Sequence, residues 1–327
     1  MTSIESRSRA AAPGSPPALT LWLALGAVYL IWGSTYLGIR VVVEDMPPLG
    51  SMGVRFLVAG AILGGWLMVR RGLGVLRVSR RSLLSAGLVG ALLLLGGNGG
   101  VAIAEQTVPS GLAALLVAAM PLWLVLLRTS AGDHPRPVTV IGTALGFLGI
   151  AVLARPGSVS EDVELWGVVV IIGATISWAI GLFLSPRLPM PSDAFVATTW
   201  EMLLAGGLML AVSIASGEAS DFDPGAVPAK GWLALAYLIV FGSLIAFTAF
   251  VWLAANAPVS LVSTYAYVNP VVAVALGALI LDEPITAAVV GGGGLAVLGV
   301  ALVVRGERRA PPPDSLSDPP VETASHP

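Results

Sequence analysis

The chain has 327 residues, of which 56% are hydrophobic and 11% are charged, and its formal net charge is −2. A soluble domain carries about 25% charged residues, so this composition excludes an ordinary soluble fold and indicates an integral membrane protein. The chain has no cysteine and only two histidines, His134 and His326, which excludes disulfides, cysteine catalysis and a buried histidine metal cluster. It also contains no Walker A sequence. We therefore predict no cofactor, no metal and no nucleic-acid partner.

Ten apolar stretches are predicted to cross a lipid bilayer. Residues 1–18, rich in Ser, Ala and Pro, precede them and are predicted to form a disordered tail, with a signal peptide as the alternative. Each stretch has roughly 20 residues, enough for a hydrocarbon core of about 30 Å. The stretches are 19–39, 48–69, 83–104, 107–127, 137–154, 165–185, 194–215, 231–253, 258–280 and 285–304. Residues 306–327 are predicted to form a second disordered tail.

The positions of Lys and Arg between the stretches predict the orientation of the chain. If the N-terminus is cytoplasmic, the outer segments carry only Arg40, Arg155 and Lys230, and most other basic residues lie on the cytoplasmic side. Because the number of stretches is even, the two termini share a side. We expect a multi-pass protein of the cytoplasmic (inner) cell membrane with both termini in the cytoplasm.

An internal repeat divides the chain into residues 19–155 and 164–305. At one constant spacing, Pro109, Pro121 and Pro135 correspond to Pro258, Pro270 and Pro284. Proline inside a helix costs about 3 kcal/mol, so three shared positions are more than apolar composition explains, although any two polytopic halves look alike to some degree. Five spans per half make the second half enter the membrane in the opposite sense. We predict an all-α membrane protein of ten transmembrane helices in two inverted five-helix repeats, as in many secondary transporters.

Four polar residues inside or beside these stretches are the main candidates for function, because a charge in hydrocarbon usually faces a pathway or a partner. The repeat places Arg55 opposite Glu201, about 10 Å apart along the membrane normal. We predict that Arg55 holds an anionic group of the substrate and that Glu201 is the proton-coupling carboxylate; the alternative is a structural network between two helices. Asn98 is predicted to face the pathway or to bond across helices. Glu105 is expected to be an ordinary interfacial carboxylate, with gating as the alternative.

Aromatic and amide side chains are predicted to line the substrate path. Trp32 and Tyr36 lie on one stripe of the first span, as a cavity wall or as packing against neighbouring helices. In the ninth span, Tyr265 and Asn269 share one face and Tyr267 lies on the opposite face. We expect Tyr265 and Asn269 to face the cavity.

Two prolines are candidate hinges. Pro121 and Pro270 occupy matching mid-span positions in the two halves, and each frees a backbone carbonyl and bends its helix. Such bends serve as hinges for alternating access or only shape a cavity.

Several short runs carry a family resemblance over about residues 19–305. They are Trp32-Gly33-Ser34-Thr35-Tyr36, Arg55-Phe56, Gly97-Asn98-Gly99, Ala104-Glu105, Val108-Pro109-Ser110-Gly111, Glu201-Met202-Leu203 and Tyr265-Ala266-Tyr267-Val268-Asn269-Pro270-Val271-Val272. With the repeated five-span unit, they make the chain resemble the EamA-type drug/metabolite transporter superfamily, and within it the YedA-like branch. The resemblance implies ten helices, a central substrate cavity and export of small metabolites, in several branches against protons.

These observations together predict a secondary active transporter. We expect it to export a small organic metabolite, amino-acid-like, or a drug by alternating access, driven by proton antiport or by the substrate's own gradient. The alternatives are an uncoupled facilitator or an importer, then a membrane-embedded enzyme, which the lack of a His or Cys site disfavours, and a channel, which few and scattered polar positions disfavour. The predicted partners are the substrate, protons and the lipid bilayer, and the sequence leaves monomer and homodimer open.

Overall fold

The computed structural model describes residues 18–155, 163–218, 220, 222–257 and 259–307, and within these ranges the chain is helical and contains no β-strand. The predicted tails therefore lie outside the described residues except for Ala18 and the end of the last helix. The helices are α1 Ala18–Val43, α2 Pro48–Arg71, α3 Arg80–Ala104, α4 Ser110–Ser130, α5 Pro137–Leu153, α6 Leu165–Leu184, α7 Ala194–Ala215, α8 Ala229–Tyr237 continued by Leu238–Ile245 and Ala246–Asn256, α9 Tyr265–Ile280 and α10 Ala287–Glu307.

The helices fall on the ten predicted apolar stretches, with ends that differ by a few residues. Among the described residues, eight helices are long and apolar enough to cross a membrane, and α5 and α9 are shorter apolar helices. A short helical turn, Val259–Val262, precedes α9, so the predicted stretch 258–280 is not one continuous helix. Large apolar side chains such as Val69 and Leu279 lie exposed on the surface, as hydrocarbon surroundings require. Eight spans are thus supported directly, and ten stays a prediction.

Local sequence explains where several helices begin. Pro48 and Pro137 occupy the first turn of α2 and α5, where the missing N–H is not needed. The Ser79 hydroxyl accepts a hydrogen bond from Ser82 N (3.0 Å) at the start of α3. The Asp193 carboxylate accepts from Phe195 N (2.8 Å) and Val196 N (3.1 Å) at the start of α7.

The main contacts between helices are equivalent in the two halves of the chain. Helix α2 packs on α7, and α5 packs on α10; α1 packs on α8 and α9, and correspondingly α6 packs on α3 and α4. Exchanging α1–α5 for α6–α10 therefore reproduces these pairs of neighbours. Glycines allow close approach in the α2–α7 pair and in the α5–α10 pair. A methyl group at Gly53 in α2 would lie 3.0 Å from Gly206 O in α7, and one at Gly142 in α5 would lie 2.7 Å from Gly299 O in α10. The repeat seen in the prolines is therefore also present in the packing.

Two helices contain π-helical segments at equivalent places. In α3 the segment is Ala91–Gly99, and in α8 it is Leu238–Ile245. The spacing between their last residues, Gly99 and Ile245, equals the spacing between Arg55 and Glu201. π-Helical turns leave some carbonyls without their usual partner and occur frequently at functional sites, so both segments direct attention to what lies beside them.

Candidate functional site

A cavity of about 300 Å³ lies at the centre of the helices. Residues from α1 to α4 and from α6 to α9 line it, and none of its lining residues comes from α5 or α10. The lining includes all nine residues that the sequence predicted for substrate binding, coupling or hinge motion: Trp32, Tyr36, Arg55, Asn98, Pro121, Glu201, Tyr265, Asn269 and Pro270. Both halves of the chain thus contribute side chains to one space, which we call the central cavity.

An aromatic group forms one wall of the central cavity. The Trp32 ring lies 5.1 Å from the Phe250 ring and 5.4 Å from the Tyr265 ring, centroid to centroid, and Phe250 and Tyr265 meet edge to face at 5.6 Å. Such pairs stabilise one another by about 0.5–1.5 kcal/mol beyond their burial. This mutual packing holds a flat apolar surface in place for a ligand.

The Arg55 guanidinium is buried in the cavity wall, with 4% of the residue exposed. Its Nε donates to Ser243 Oγ at 3.0 Å, Nη1 lies 3.6 Å from Met52 Sδ, and the group lies 4.8 Å from the centroid of the Phe56 ring. Within the described residues no carboxylate pairs with it. The contacts fix the direction of the guanidinium and leave its Nη2 donors for a ligand.

The Glu201 carboxylate lines the cavity without a hydrogen-bond or ion-pair partner among the described residues. Its backbone is held tightly, because a methyl group at Gly90 in α3 would lie 2.7 Å from Glu201 O. Arg55 and Glu201 thus share the cavity without forming an ion pair. A carboxylate in an apolar cavity gains from taking a proton or a cationic partner.

The π-helical segments supply carbonyls that side chains satisfy. Trp32 Nε1 donates to Gly242 O at 3.2 Å in α8, and Asn98 Nδ2 lies 3.4 Å from Leu93 O in α3. Since Trp32, Asn98 and Gly242 all line the cavity, the irregular turns orient cavity side chains as well as bending the helices.

Comparison with known proteins identifies the kind of molecule to which this cavity belongs. A model of the EamA-like transporter family matches the chain twice, over residues 19–155 and 165–305. The chain belongs to the EamA-like transporter family. The uncharacterized inner membrane transporter YedA of Escherichia coli (strain K12) is 41% identical over 290 residues, which cover 88% of this chain and 92% of that protein. The resemblance noted in the sequence is therefore confirmed.

More distant relatives of this EamA-like chain agree. The uncharacterized transporter YoaV of Bacillus subtilis (strain 168) is 26% identical over 285 residues, covering 85% of this chain and 94% of that protein. A crystal structure of a protein that is 22% identical superposes with a TM-score of 0.60 and covers 89% of this chain and 99% of that one, which shows a shared fold. With the membrane-spanning helices, these relationships confirm a multi-pass transporter of the cytoplasmic membrane.

The remaining predicted residues of this EamA-like protein take the following positions. Asn269 Oδ1 is buried beside the cavity and has no hydrogen-bond partner among the described residues. Tyr265 and Asn269 both line the cavity, whereas Tyr267 does not. Pro121 follows a break in α4 between Val117 and Met120, and Pro270 lies inside α9. Pro121 therefore lies beside a break in its helix, whereas the helix around Pro270 is continuous from Tyr265 to Ile280.

The expectation for Glu105 is wrong. An ordinary interfacial carboxylate meets water, whereas Glu105 is 0% exposed, and neither carboxylate oxygen has a hydrogen-bond partner among the described residues. Arg40 donates a hydrogen bond to the Glu105 main-chain carbonyl rather than to its carboxylate. Burial follows from the segments that cover this end of α3, which counting residues from the end of an apolar stretch does not reveal.

Several cavity residues carry little signal in the sequence. Ser243, which orients Arg55, is one serine in an apolar stretch, and Phe247 and Phe250 resemble any lipid-facing aromatic residue. Trp178 also lines the cavity, and its correspondence to Trp32 in the repeat was a signal that could have found it. Among the described residues no group of three His, Asp or Glu side chains could hold a metal ion.

Proposed function

We propose that this EamA-like protein is a secondary active transporter that exports a small organic metabolite or drug from the cytoplasm by alternating access. The observation that carries the proposal is the central cavity, in which both halves of the chain place polar side chains at the middle of an apolar bundle. The proposal includes ten transmembrane helices in two inverted five-helix repeats, 19–155 and 164–305, with both termini cytoplasmic. The equivalent helix contacts support two related halves, and the distribution of Lys and Arg supports the orientation.

The chemistry of the cavity favours a substrate with an anionic group and an apolar or flat part. Arg55 offers a guanidinium fixed by Ser243 and Phe56, and the group formed by Trp32, Phe250 and Tyr265 offers an aromatic surface. A volume of about 300 Å³ is at the small end of ligand pockets. An amino-acid-like zwitterion fits the guanidinium, the aromatic surface and the volume. Glu201 in the same cavity can receive its ammonium group.

Glu201 is the proposed site of proton coupling. When the cavity is empty, the unpaired carboxylate takes a proton; when a substrate with a cationic group binds, the proton leaves and the carboxylate pairs with that group. Proton and substrate then compete for one side chain, which is the requirement for antiport. The second candidate is an uncoupled facilitator, in which Glu201 only shapes the cavity.

Purified protein in liposomes with a trapped pH dye tests this function. Pooled amino acids, other metabolites and cationic drugs are added, and both proton movement and uptake of labelled substrate are followed. We expect substrate-dependent proton movement in the wild type, and Glu201→Gln to reduce it at least tenfold while labelled substrate still equilibrates. The matched control is Glu164→Gln, the same change at an exposed position before α6, which should leave both signals unchanged.

One result would overturn antiport, and another would overturn the role of Glu201 in it. Equilibration of labelled substrate without proton movement in the wild type means a facilitator. Undiminished proton movement in Glu201→Gln removes Glu201 from the coupling mechanism.

A further inference from the structure

The end of α3 buries a carboxyl group that the central cavity does not use. Both Glu105 oxygens are inaccessible and lack hydrogen-bond partners. The nearby Arg40 guanidinium is directed at the Glu105 main-chain carbonyl. An ionised carboxylate buried without partners costs several kcal/mol. This burial favours the neutral acid over the carboxylate at Glu105.

A second carboxyl group, that of Glu283, joins the start of α4 to the second half of the chain. Glu283, in the segment between α9 and α10, accepts hydrogen bonds from Ser110 N (2.6 Å) and Gly111 N (2.9 Å). The N-terminus of α4 favours a negative charge at this position. Glu283 and Arg40 both act electrostatically on the Glu105 carboxyl. We call Arg40, Glu105, Ser110 and Glu283 the Glu105 cluster; a negative charge on Glu283 opposes a second negative charge on Glu105.

The backbone is shaped to bring Glu283 to this place. Asp282 adopts a left-handed conformation, φ 54°, and Glu283 N donates to Gly277 O at 3.2 Å, so the chain folds back under the end of α9. A methyl group at Gly277 would lie 3.0 Å from Ser110 Oγ and 2.8 Å from Glu283 Cδ. The Glu105 cluster thus joins the two halves: Glu283 belongs to the second half, and the other members belong to the first.

Few other charged or titratable groups face Glu105. From α1, the Tyr36 hydroxyl interacts electrostatically with it, and Tyr36 also lines the central cavity. From α2, the charged residue in the same half of the helix is Arg55, whose guanidinium contacts Ser243 instead. Helix α6 carries no charged residue between Leu165 and Leu184. Movement of the two halves at this end is therefore the event that changes the surroundings of Glu105.

We propose that Glu105 is a second proton-binding site of the transport cycle and that its protonation holds this end of the protein closed. Separation of the halves pulls Glu283 from the start of α4 and admits water. The Glu105 O–H bond then breaks, the proton passes to water on that side, and the carboxylate pairs with Arg40. Closure takes a proton back and returns the neutral acid to its buried position. This proposal deepens the proposed function and rests on its alternating-access cycle.

A single cysteine can report the opening, because the natural chain has none. Ser110→Cys is suitable, since Ser110 is buried and its hydroxyl has no hydrogen-bond partner to lose. The variant is placed in lipid nanodiscs, where both faces are accessible, and the labelling rate with a bulky hydrophilic thiol reagent is measured from pH 5 to pH 9. The same cysteine is measured in a Glu105→Gln background, so that the ordinary rise of thiol reactivity with pH is present in both proteins.

We expect labelling of the Ser110→Cys protein to rise with pH at least fivefold more than in the Glu105→Gln background, where the neutral amide keeps this end closed. Adding Glu283→Gln to the reporter should move the rise to lower pH, because the anion that favours the proton on Glu105 is gone. Equal pH profiles with and without Glu105→Gln would overturn the proposal.

The outcome is separable from that of the proposed function. Labelling needs no substrate, so a Glu105-dependent opening without any transported substrate supports this inference and leaves the export proposal without support. Conversely, substrate-driven proton movement with equal labelling profiles supports antiport through Glu201 and overturns the role of Glu105. Elution of each variant as a single species during size-exclusion chromatography, with wild-type helicity, establishes that the profiles come from folded protein.

Discussion

The helices around the central cavity and the α5–α10 pair are built on opposite principles. The cavity helices carry Arg55 and Glu201, unsatisfied polar atoms and π-helical turns. The α5–α10 pair approaches through glycines, and its helices carry no charged residue until Arg305. Polar chemistry and irregular backbone thus occur together, and the regular helices beside them supply rigidity. The difference indicates that mutations in the two regions should separate into effects on transport and effects on stability.

The largest effect is expected at Arg55. In Arg55→Ala we expect binding of anionic or zwitterionic substrates to weaken by about 2 kcal/mol, roughly thirtyfold, because a buried charge-assisted hydrogen bond is lost. Cationic substrates should bind as before. Substrate affinities measured by competition in liposomes check this, with Ser243→Ala as the control that removes only one orienting contact and should lose less. Equal weakening for cationic substrates would mean that Arg55 has a structural role, like the residues of α5 and α10, and does not bind substrate.

The next effect is expected in the α5–α10 pair and concerns stability alone. A methyl group at Gly299 would lie 2.6 Å from Gly142 O, whereas one at Gly291 meets open space. We expect Gly299→Ala to lower the free energy of unfolding by about 1–3 kcal/mol through overpacking, and Gly291→Ala, in the same helix, to leave it nearly unchanged. Thermal unfolding in detergent compares the two. Transport per folded molecule should stay at the wild-type level; a loss of turnover in folded Gly299→Ala would mean that α5 and α10 take part in transport.

The smallest effect is expected outside both regions, at the start of α7. Burial tends to raise the pKa of Asp193, but the hydrogen bonds from Arg71 (2.5 Å), Val196 N and Phe195 N outweigh it and hold this pKa below the usual value. Asp193→Ala should cost about 1 kcal/mol of stability. Because the folded pKa is lowered, the contribution of the charge is complete above about pH 4 to 5 and is lost as pH falls through the lowered value.

Thermal unfolding between pH 7 and pH 3 checks the Asp193 prediction. Asp193→Asn, which keeps an acceptor oxygen, should remove the pH-dependent part and retain part of the cap. If the wild type and Asp193→Asn respond alike to acid, the ionised carboxylate does not stabilise the start of α7.

Much of the site was predictable because a membrane leaves few places for polar groups. Arg55, Glu201 and Asn98 interrupt apolar stretches, and such residues turn inward; the repeat then made the two charged residues counterparts in the two halves. The same reasoning failed at Glu105, because its burial depends on how other segments pack around the end of α3, which its place in the sequence does not reveal. The π-helical segments were also invisible, since Ala91–Gly99 has the composition of any membrane helix and its hydrogen bonds depend on packing against α6 and α7.

The two π-helical segments determine more than the shape of the cavity. A π-turn holds one extra residue, and each residue of an ordinary helix rotates the next side chain by about 100°. The position of the extra residue therefore determines the direction of the side chains that follow it in the helix. These include Asn98 in the first half and Ser243 in the second. A shift of that place by a few positions exchanges hydrogen bonds one at a time and leaves the helix intact. The duplicated halves thus share an adjustable register that can turn a polar side chain toward or away from the cavity without unwinding either helix.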